Sequence, residues 1–423
     1  MTISTPSNNL YKKLQKQYSR KINLDLKRIN FALKKLGNIH KSIQNPINII
    51  GSDGKYSTLK SLQYFIQENK GNVSTFTSPH LYDVRHRFWL KNKFISIKEL
   101  KKNIKIIKKL KVRLTLFELL SLIYYISASK LKNVSYALIE AGLLYAKDST
   151  RVWNKPKCQI VTNINQQHLE WVKPKTLRAI CQQKVGYLSK NTTIYVGKQE
   201  PKTEKIIKTI LRKNPSKKIF YGNEWSLKKL GKKRIYKDRR GKLILKSNKI
   251  FSEGIWQNVG LAVRVARDLN ISKKVILRAI SKIHFEGRLH YIIKGKLRKL
   301  LNTKEQLLID GCHSETSAIN LSSYLSTLKK DVYAIWGMQK HKNPELFIKH
   351  FKKNIKNIIT IKIVGEPNTC DPIKLKKIAN KNGLKCETAK NFQEAIKKIS
   401  NKKEKIIVVF GSLYLVGNVL SLN

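Results

Sequence analysis

Apolar positions along this chain fall into two series in which helical and strand-like spacing alternate. Residues 10–36 carry apolar side chains at helical spacing and predict a helix. The short apolar run at 47–50 then reads as a strand. The segment GSDGKYST follows it, and helical spacing resumes at 59–67. Strand-like runs recur at 73–76, 136–139, 159–164, 193–196 and 218–221, with helical patterns between most of them, as at 117–128 and 203–211. Residues 101–111 (KKNIKIIKKLK) set Ile and Leu at helical spacing among lysines, which predicts a helix with a basic outer face. Residues 234–249 read as a polar hairpin turning at Arg240-Gly241, and helices are predicted at 257–269 and 273–283.

A second alternating series starts near Gln306, with strands at 307–309, 332–336, 358–364 and 406–410 and helices between them. Strands separated by helices predict a mostly parallel sheet covered on its faces. The fold expected is therefore α/β, in two domains. Residues 1–287 form an ATPase-type domain of the phosphate-loop kind with a mostly parallel sheet, and 288–423 a smaller Rossmann-like α/β domain. The crossover is expected within 288–304. A length of 423 residues suits two or three such cores.

Composition changes this picture little, except in charge. Lys and Arg number 87 against 26 Asp and Glu, a formal net charge of +61. Such a field attracts polyanions. The excess is mostly lysine, runs through every segment and travels with Ile and Asn, so it reads as compositional drift placing lysines at solvated positions. The aromatic residues do not interleave with the lysines as a base-stacking platform would, so specific nucleic-acid binding is not expected. No stretch stays apolar for the ~18 residues of a membrane span. The first residues, MTISTPSNNLYKKL, lack the apolar core of a signal peptide. Cys158, Cys181, Cys312, Cys370 and Cys386 lie far apart without CxxC spacing, which favours reduced thiols over a zinc site or a disulfide frame. A cytoplasmic monomer is expected.

Chemistry concentrates at Gly51-Ser52-Asp53-Gly54-Lys55-Tyr56-Ser57-Thr58, between a strand and a helix. Glycines let backbone N–H groups approach phosphate oxygens, a lysine neutralises the outer phosphates and a hydroxyl can hold Mg²⁺. The strict GxxxxGK[ST] spacing is not met. An aspartate at 53 repels phosphates unless it faces a metal or turns outward, and Tyr56 adds bulk.

These residues, with an ordered set of further motifs, resemble the folylpolyglutamate synthase/dihydrofolate synthase branch of the Mur-ligase superfamily. That branch's phosphate loop reads GTNGKGST, and Gly51, Gly54, Lys55, Ser57 and Thr58 stand at the matching places, with Asp53 for Asn and Tyr56 for Gly. LGNIH before the loop resembles LGNPH. Thr77-Ser78-Pro79-His80-Leu81 matches the SPHL segment, and Leu116-Phe117-Glu118 resembles TxFE. Ile139-Glu140-Ala141-Gly142-Leu143 with Asp148 and Thr150 resembles a worn EVGLGGRLDATN, in which Leu144 and Tyr145 replace glycines. Val161-Thr162-Asn163-Ile164, with Gln167 and His168, corresponds to ITxIGLDH, and Gln183-Lys184-Val185-Gly186 to EKAG. Gln257-Asn258 corresponds to QxxNA, Gly287-Arg288-Leu289 to PGRL, and Asp310-Gly311-Cys312-His313 to DGAHNP. Residues 410–417 (FGSLYLVG) match the terminal signature. The matches keep the family's order from residue 36 to 419.

The resemblance implies an ATP-dependent acid–amino-acid ligase of folate biosynthesis, joining L-glutamate to dihydropteroate or to a reduced folate through an acyl phosphate. It implies that Gly51, Ser52, Asp53, Gly54, Lys55, Ser57, Thr58, Asn258, Arg288, Asp310 and His313 bind ATP. Ser57, Ser78 and Glu140 would hold a first Mg²⁺, and His168 and Lys184 a second, with Lys184 carbamylated as is typical of the superfamily. Lys55, His168 and Lys184 are the catalytic candidates. Pro79, His80, Phe117 and Glu118 are folate candidates by position alone. Two other readings stay open: a degenerate ligase with impaired catalysis, and a basic nucleic-acid-binding protein on the same fold.

Overall fold

The computed structural model describes residues 6–19, 23–401 and 403–423. By its internal contacts the chain parts into two compact units. One takes in residues 6–249 together with Gly254–Ile283, the other Ile250–Glu253 with His284–Asn423.

In the first unit the unbroken apolar runs become the parallel strands of one sheet, buried on both faces as a sheet under helices requires, and two antiparallel strands of mixed exposure extend one side of it. The strands are β1 (Pro46–Ile50), β2 (Val73–Phe76), β3 (Phe88–Lys91), β4 (Lys93–Phe94), β5 (Tyr136–Glu140), β6 (Cys158–Val161), β7 (Thr193–Val196) and β8 (Lys218–Phe220). They lie side by side as β4-β3-β2-β5-β1-β6-β7-β8. The run from β2 to β8 is parallel, and β3 and β4 form an antiparallel edge that the apolar pattern had not disclosed. Strand β1 sits between β5 and β6, so the chain leaves its carboxyl end where the strand order reverses. Open α/β sheets bind ligands at such a point.

Helix Leu116–Ala128 opens with a Thr115/Glu118 capping box and is buried nearly all round. It packs with Phe76, Phe88, Leu100 and Ile104 in one core. Its two tyrosines place their hydroxyls on partners, Tyr124 on Ser74 Oγ at 2.9 Å and Tyr125 on the Ser149 carbonyl at 2.7 Å. Helix Ile97–Lys109 buries Leu100, Ile104 and Ile107 and turns its lysines outward, as the sequence predicts. The single helix expected over 10–36 is two, Pro6–Gln17 and Leu26–Lys35. Asp25 ends the continuity, because its carboxylate accepts the Lys27 N–H at 2.9 Å and starts a new helix there.

The predicted hairpin is β10 (Lys233–Asp238) with β11 (Gly241–Leu245), its turn at Arg239-Arg240, one residue earlier than expected, with Gly241 supplying φ +95° just after it. A third strand missed in the sequence, β9 (Trp225–Leu230), completes an antiparallel sheet. Asp238 on β10 reaches the helix Glu253–Asp268, pairing with Arg267 Nε at 3.0 Å and Arg264 Nη1 at 3.6 Å. Arg264 also pairs with Asp268 at 2.8 Å. The Asp238 side chain has no exposed surface, so this network fastens the small sheet to a helix that carries a candidate site residue.

The second unit has β12 (His290–Ile292), β13 (Glu305–Ile309), β14 (Asp331–Trp336), β15 (Asn357–Thr360), β16 (Cys386–Thr388) and β17 (Lys405–Phe410). Their order is β12-β13-β17-β14-β15-β16, parallel except for β12. The edge strands β12 and β16 are short and were not foreseen. The stretch 288–304 contains β12 and the short helix Lys296–Lys299.

Candidate nucleotide site

The loop from Gly51 to Gly54 joins β1 to the helix Lys55–Glu68 and points the helix N-terminus at whatever the loop holds. Both glycines are required by close approach. A Cβ on Gly51 would lie 1.9 Å from Thr162 Oγ1, and one on Gly54 would lie 2.3 Å from Asn258 Oδ1. Gly54 also has φ +89°, which side chains rarely adopt.

Two lysines converge on one carbonyl. Lys55 Nζ donates to the Gly51 oxygen at 3.2 Å and to that of Ser52 at 3.0 Å, and Lys184 Nζ donates to Gly51 at 2.9 Å. Lys184 is 3 % exposed, in the helix Leu177–Val185. Burial, then the Lys55 charge, pushes its pKa down to about 7, against the pull of Asp148, Asp53 and Cys181. Ser57 Oγ accepts from Asn258 Nδ2 at 2.9 Å, so these two candidates meet. Thr58 does not join them. Its side chain is wholly buried, and among the described residues its hydroxyl has no hydrogen-bond partner.

Glu140 closes β5 directly beside Ile49 of β1, at 3 % exposure, and its Oε2 accepts the Ser78 N–H at 3.0 Å. Strand register thus brings Glu140 and Ser78 together beside the start of the phosphate loop. His168 stands at φ +69° ahead of a short 3₁₀ turn, with Nδ1 3.8 Å from Glu170 Oε1. Among the described residues no group of three or more His, Cys, Asp or Glu side chains is placed to hold a metal ion. The donors on offer are instead hydroxyls, one carboxylate, one imidazole and one low-pKa amine. The hydroxyls and the carboxylate are oxygen donors of the kind Mg²⁺ prefers, and Mg²⁺ keeps waters and phosphate oxygens and so needs few protein ligands.

Asp53 neither faces a metal-type cluster nor turns outward. Its Oδ2 accepts hydrogen bonds from Asn165 Nδ2 at 2.8 Å and Gln167 Nε2 at 2.9 Å. The backbone is tied to the same loop, Ser52 N–H donating to the Asn163 carbonyl at 2.8 Å. Asn163, Asn165 and Gln167 were not singled out in the sequence as loop partners. Only the run of amides after β6 marked them.

The worn segment after β5 is sound as structure. Asp148 accepts N–H donors from Gly142, Leu143 and Thr150 at 2.8–3.0 Å and the Thr150 hydroxyl at 2.6 Å. Leu144 keeps a left-handed backbone (φ +46°) where the family has glycine. The buried Tyr145 hydroxyl donates to Asn48 Oδ1 at 3.1 Å and accepts from Gln159 at 2.7 Å.

Among the folate candidates, Glu118 is spoken for. It closes the capping box by accepting the Thr115 N–H at 2.7 Å, and both its oxygens accept Arg28 Nε at 3.1 Å. It is a structural carboxylate, a role its position at the start of a helix could have suggested. Phe117 lies half-buried over Gly142, where a Cβ would sit 2.5 Å from its ring. His80 Nδ1 accepts from Arg87 Nε at 2.9 Å, and its ring meets Tyr11 edge-on at 4.6 Å. Burial, then Arg87, holds His80 well below the usual histidine pKa, so it is neutral. Pro79 is exposed.

In the second unit Asp310 follows β13, with Oδ2 accepting the Leu289 N–H and Oδ1 the Cys312 N–H, each at 2.8 Å. Arg288 lies close by, since a Cβ on Gly311 would be 2.7 Å from its Nη1. Burial raises the Asp310 pKa, and Arg288 opposes the rise. His313 Nδ1 is 2.9 Å from the Gly311 carbonyl. Ser314, where the family has Asn, forms a capping box with Ser317 that starts the helix Glu315–Leu325, which makes up for the missing Pro.

The Mur ligase middle domain matches residues 49–265, and the dihydrofolate synthetase C-terminal domain matches 293–422. The chain belongs to the Mur ligase family. Within it the chain is an ATP-dependent ligase of the dihydrofolate synthase/folylpolyglutamate synthase type. A dihydrofolate synthetase of Saccharomyces cerevisiae is 24% identical over 437 residues, covering 95% of this chain and 98% of that protein. The fold is shared with E. coli FolC in complex with DHPP and ADP (TM-score 0.86, 20% identity, 99% of this chain and 98% of that one). It is shared equally with a bifunctional folylpolyglutamate synthase/dihydrofolate synthase with Mn, AMPPNP and L-glutamate bound (TM-score 0.85, 18% identity, 99% and 98%). No helix among the described residues is long and apolar enough to cross a membrane.

Proposed function

We propose that this chain joins L-glutamate to dihydropteroate, to a reduced folylpolyglutamate, or to both, with ATP converted to ADP and phosphate. The observation that carries this reading is the convergence of Lys55 and Lys184 on the Gly51 carbonyl, which gathers two amines, one of them with its pKa lowered to about 7, at one turn of a phosphate loop. A carboxylate is a poor electrophile because oxide is a poor leaving group. Its oxygen attacks the γ-phosphorus, the bond to the β-phosphate oxygen breaks, and an acyl phosphate and ADP form. The amine of glutamate then attacks the acyl carbon, phosphate leaves and the nitrogen loses a proton. Three anions must be held together throughout, so cations and backbone N–H groups do most of the work.

Lys55 takes the outer phosphates, and the N–H groups at the helix start meet the remaining oxygens. Asn258 orients the Ser57 hydroxyl. Ser57, Ser78 and Glu140 would hold one Mg²⁺, and His168 with a carbamylated Lys184 a second. These ions would offset charge on the phosphates. Carbamylation needs a neutral amine, and a Lys184 pKa near 7 provides one in quantity at neutral pH. The same resemblance assigns Arg288, Asp310 and His313 of the 288–423 domain to the nucleotide, and His80, Pro79 and Phe117 of the 1–287 domain to the folate. The enzyme would act as a cytoplasmic monomer, its five cysteines free and buried.

The test is ADP release with ATP, Mg²⁺ and L-glutamate, adding dihydropteroate or tetrahydrofolate. Release should require both glutamate and an acceptor. Folded protein that releases no ADP with either acceptor overturns the reading.

A further inference from the structure

We propose that Asp53 and Gln167 are an exchanged carboxylate–amide pair, in which Gln167 acts as a positioning residue for the phosphate loop. The proposal rests on the ATP-binding reading above and deepens it. The loop motif that this chain resembles has Asn where Asp53 stands, and the motif after β6 has Asp where Gln167 stands. Taken singly, each substitution looks like decay. The structure brings the two positions within 2.9 Å, with the Gln167 amide donating to the Asp53 carboxylate.

The exchange keeps the chemistry while reversing its direction. Either arrangement sets one amide and one carboxylate at these two positions, with one negative charge between them, and here the Gln167 amide meets the Asp53 carboxylate. A charge-assisted bond of this sort is stronger than a neutral one. Asn165 adds a second donor to the same oxygen at 2.8 Å. The Asp53 charge is thereby turned onto two amides of the neighbouring loop, which answers its expected repulsion of phosphate. Below the side chains, the Ser52 and Asp53 N–H groups bond to the Asn163 carbonyl at 2.8 and 3.3 Å, so the pair closes a clamp already begun by the backbone. Gly51 and Lys55 lie within that clamped turn.

The geometry predicts a specific pattern of failure and rescue. Gln167→Asp places two carboxylates against each other, and like charges at hydrogen-bond range push one side chain away. Asp53→Asn leaves two neutral amides and loses only the charge assistance. Combining Asp53→Asn with Gln167→Asp, or with Gln167→Glu to keep the longer reach, restores one carboxylate and one amide.

The experiment is a double-mutant cycle read by calorimetric binding of Mg²⁺-ADP, with melting temperature as the folding measurement. Gln167→Asp should weaken ADP binding on the order of tenfold, as the loss of one charge-assisted contact implies. At least one double variant should recover to about threefold of the wild-type affinity, a coupling within the range seen for contacting residues. In the ligase assay KM for ATP should rise and fall in step, with KM for glutamate unchanged, whereas a purely structural defect would lower kcat with no selective effect on ATP. Additive losses in both doubles overturn the pair, even in a fully active ligase. Wild-type protein that binds no ADP overturns the positioning role together with the ATP reading. Should Gln167→Asp fail to fold, Asp53→Asn against Asp53→Asn/Gln167→Glu supplies the comparison, and a double no better than the single overturns the proposal.

Discussion

Lys184 Nζ lies 2.9 Å from the Gly51 carbonyl oxygen, 133 positions away in the chain. The contact ties the end of a helix to the first turn of the phosphate loop. It also buries an amine beside a second cation, Lys55, and the two effects together bring its pKa to about 7. An amine that is half neutral at physiological pH is set up as a nucleophile toward CO₂, which an ordinary lysine near 10.4 is not.

The corresponding prediction concerns carbonate and pH. In CO₂-depleted buffer, ADP release should fall severalfold and return on adding bicarbonate. With dissolved CO₂ held constant, activity should climb as pH rises through about 7, because the folded-state pKa lies below that of a free lysine and the neutral form gains population there. Steady-state rates from pH 6 to 8 check this. A flat, CO₂-independent profile would remove carbamylation from the account.

Lys55→Ala should reduce ADP release by on the order of 10²–10³-fold, the usual loss for one charge-stabilising donor. Its Nζ bonds to loop carbonyls and the residue is only half-buried, so the melting temperature should move little. Turnover and thermal melts measured on the same preparation separate the two effects.

Gly54→Ala combines a left-handed φ of +89° with a Cβ placed 2.3 Å from Asn258 Oδ1. A cost of about 1–3 kcal/mol is expected from strain at such a position, along with weaker ADP binding, because Asn258 also holds Ser57. Adding Asn258→Ala should recover part of the stability, since it removes the clash, and none of the affinity. Urea denaturation and ADP titration read the two outcomes.

Asp238→Ala should cost about 3–5 kcal/mol, the range for breaking a buried ion network by removing one member. Arg267 would lose its carboxylate partner at 3.0 Å, while Arg264 would keep Asp268. Chemical denaturation checks the magnitude. A loss below about 1 kcal/mol would mean that the network behaves as a surface ion pair.

Much of the fold was legible before any tertiary information. Strands β2 and β7 occupy the residues where the apolar runs lie, and the hairpin is where its dipeptide implies, its turn one residue earlier at Arg239-Arg240 with Gly241 opening β11. These are local effects of spacing and turn chemistry. Strands β3, β4, β12 and β16, at or next to the sheet edges, were not legible, being only two to four residues long and, except for β2's neighbour β3, without an unbroken apolar run.

For the site, the sequence alone determined the chemical groups: a Gly-bounded loop with Lys55 and Ser57, an acidic strand end at Glu140, and motif order enough to name the family. The tertiary structure alone decided which groups meet. It joined Asn258 to Ser57, pointed two lysines at one carbonyl, and tied Glu118 into a capping box and to Arg28. It also reversed the meaning of Asp53 and Gln167, which look like two separate departures along the chain and share a hydrogen bond in space. The reason is physical. Residue type and spacing fix what a group can donate or accept, whereas strand order and register, set by packing over the whole sheet, fix the partner it finds.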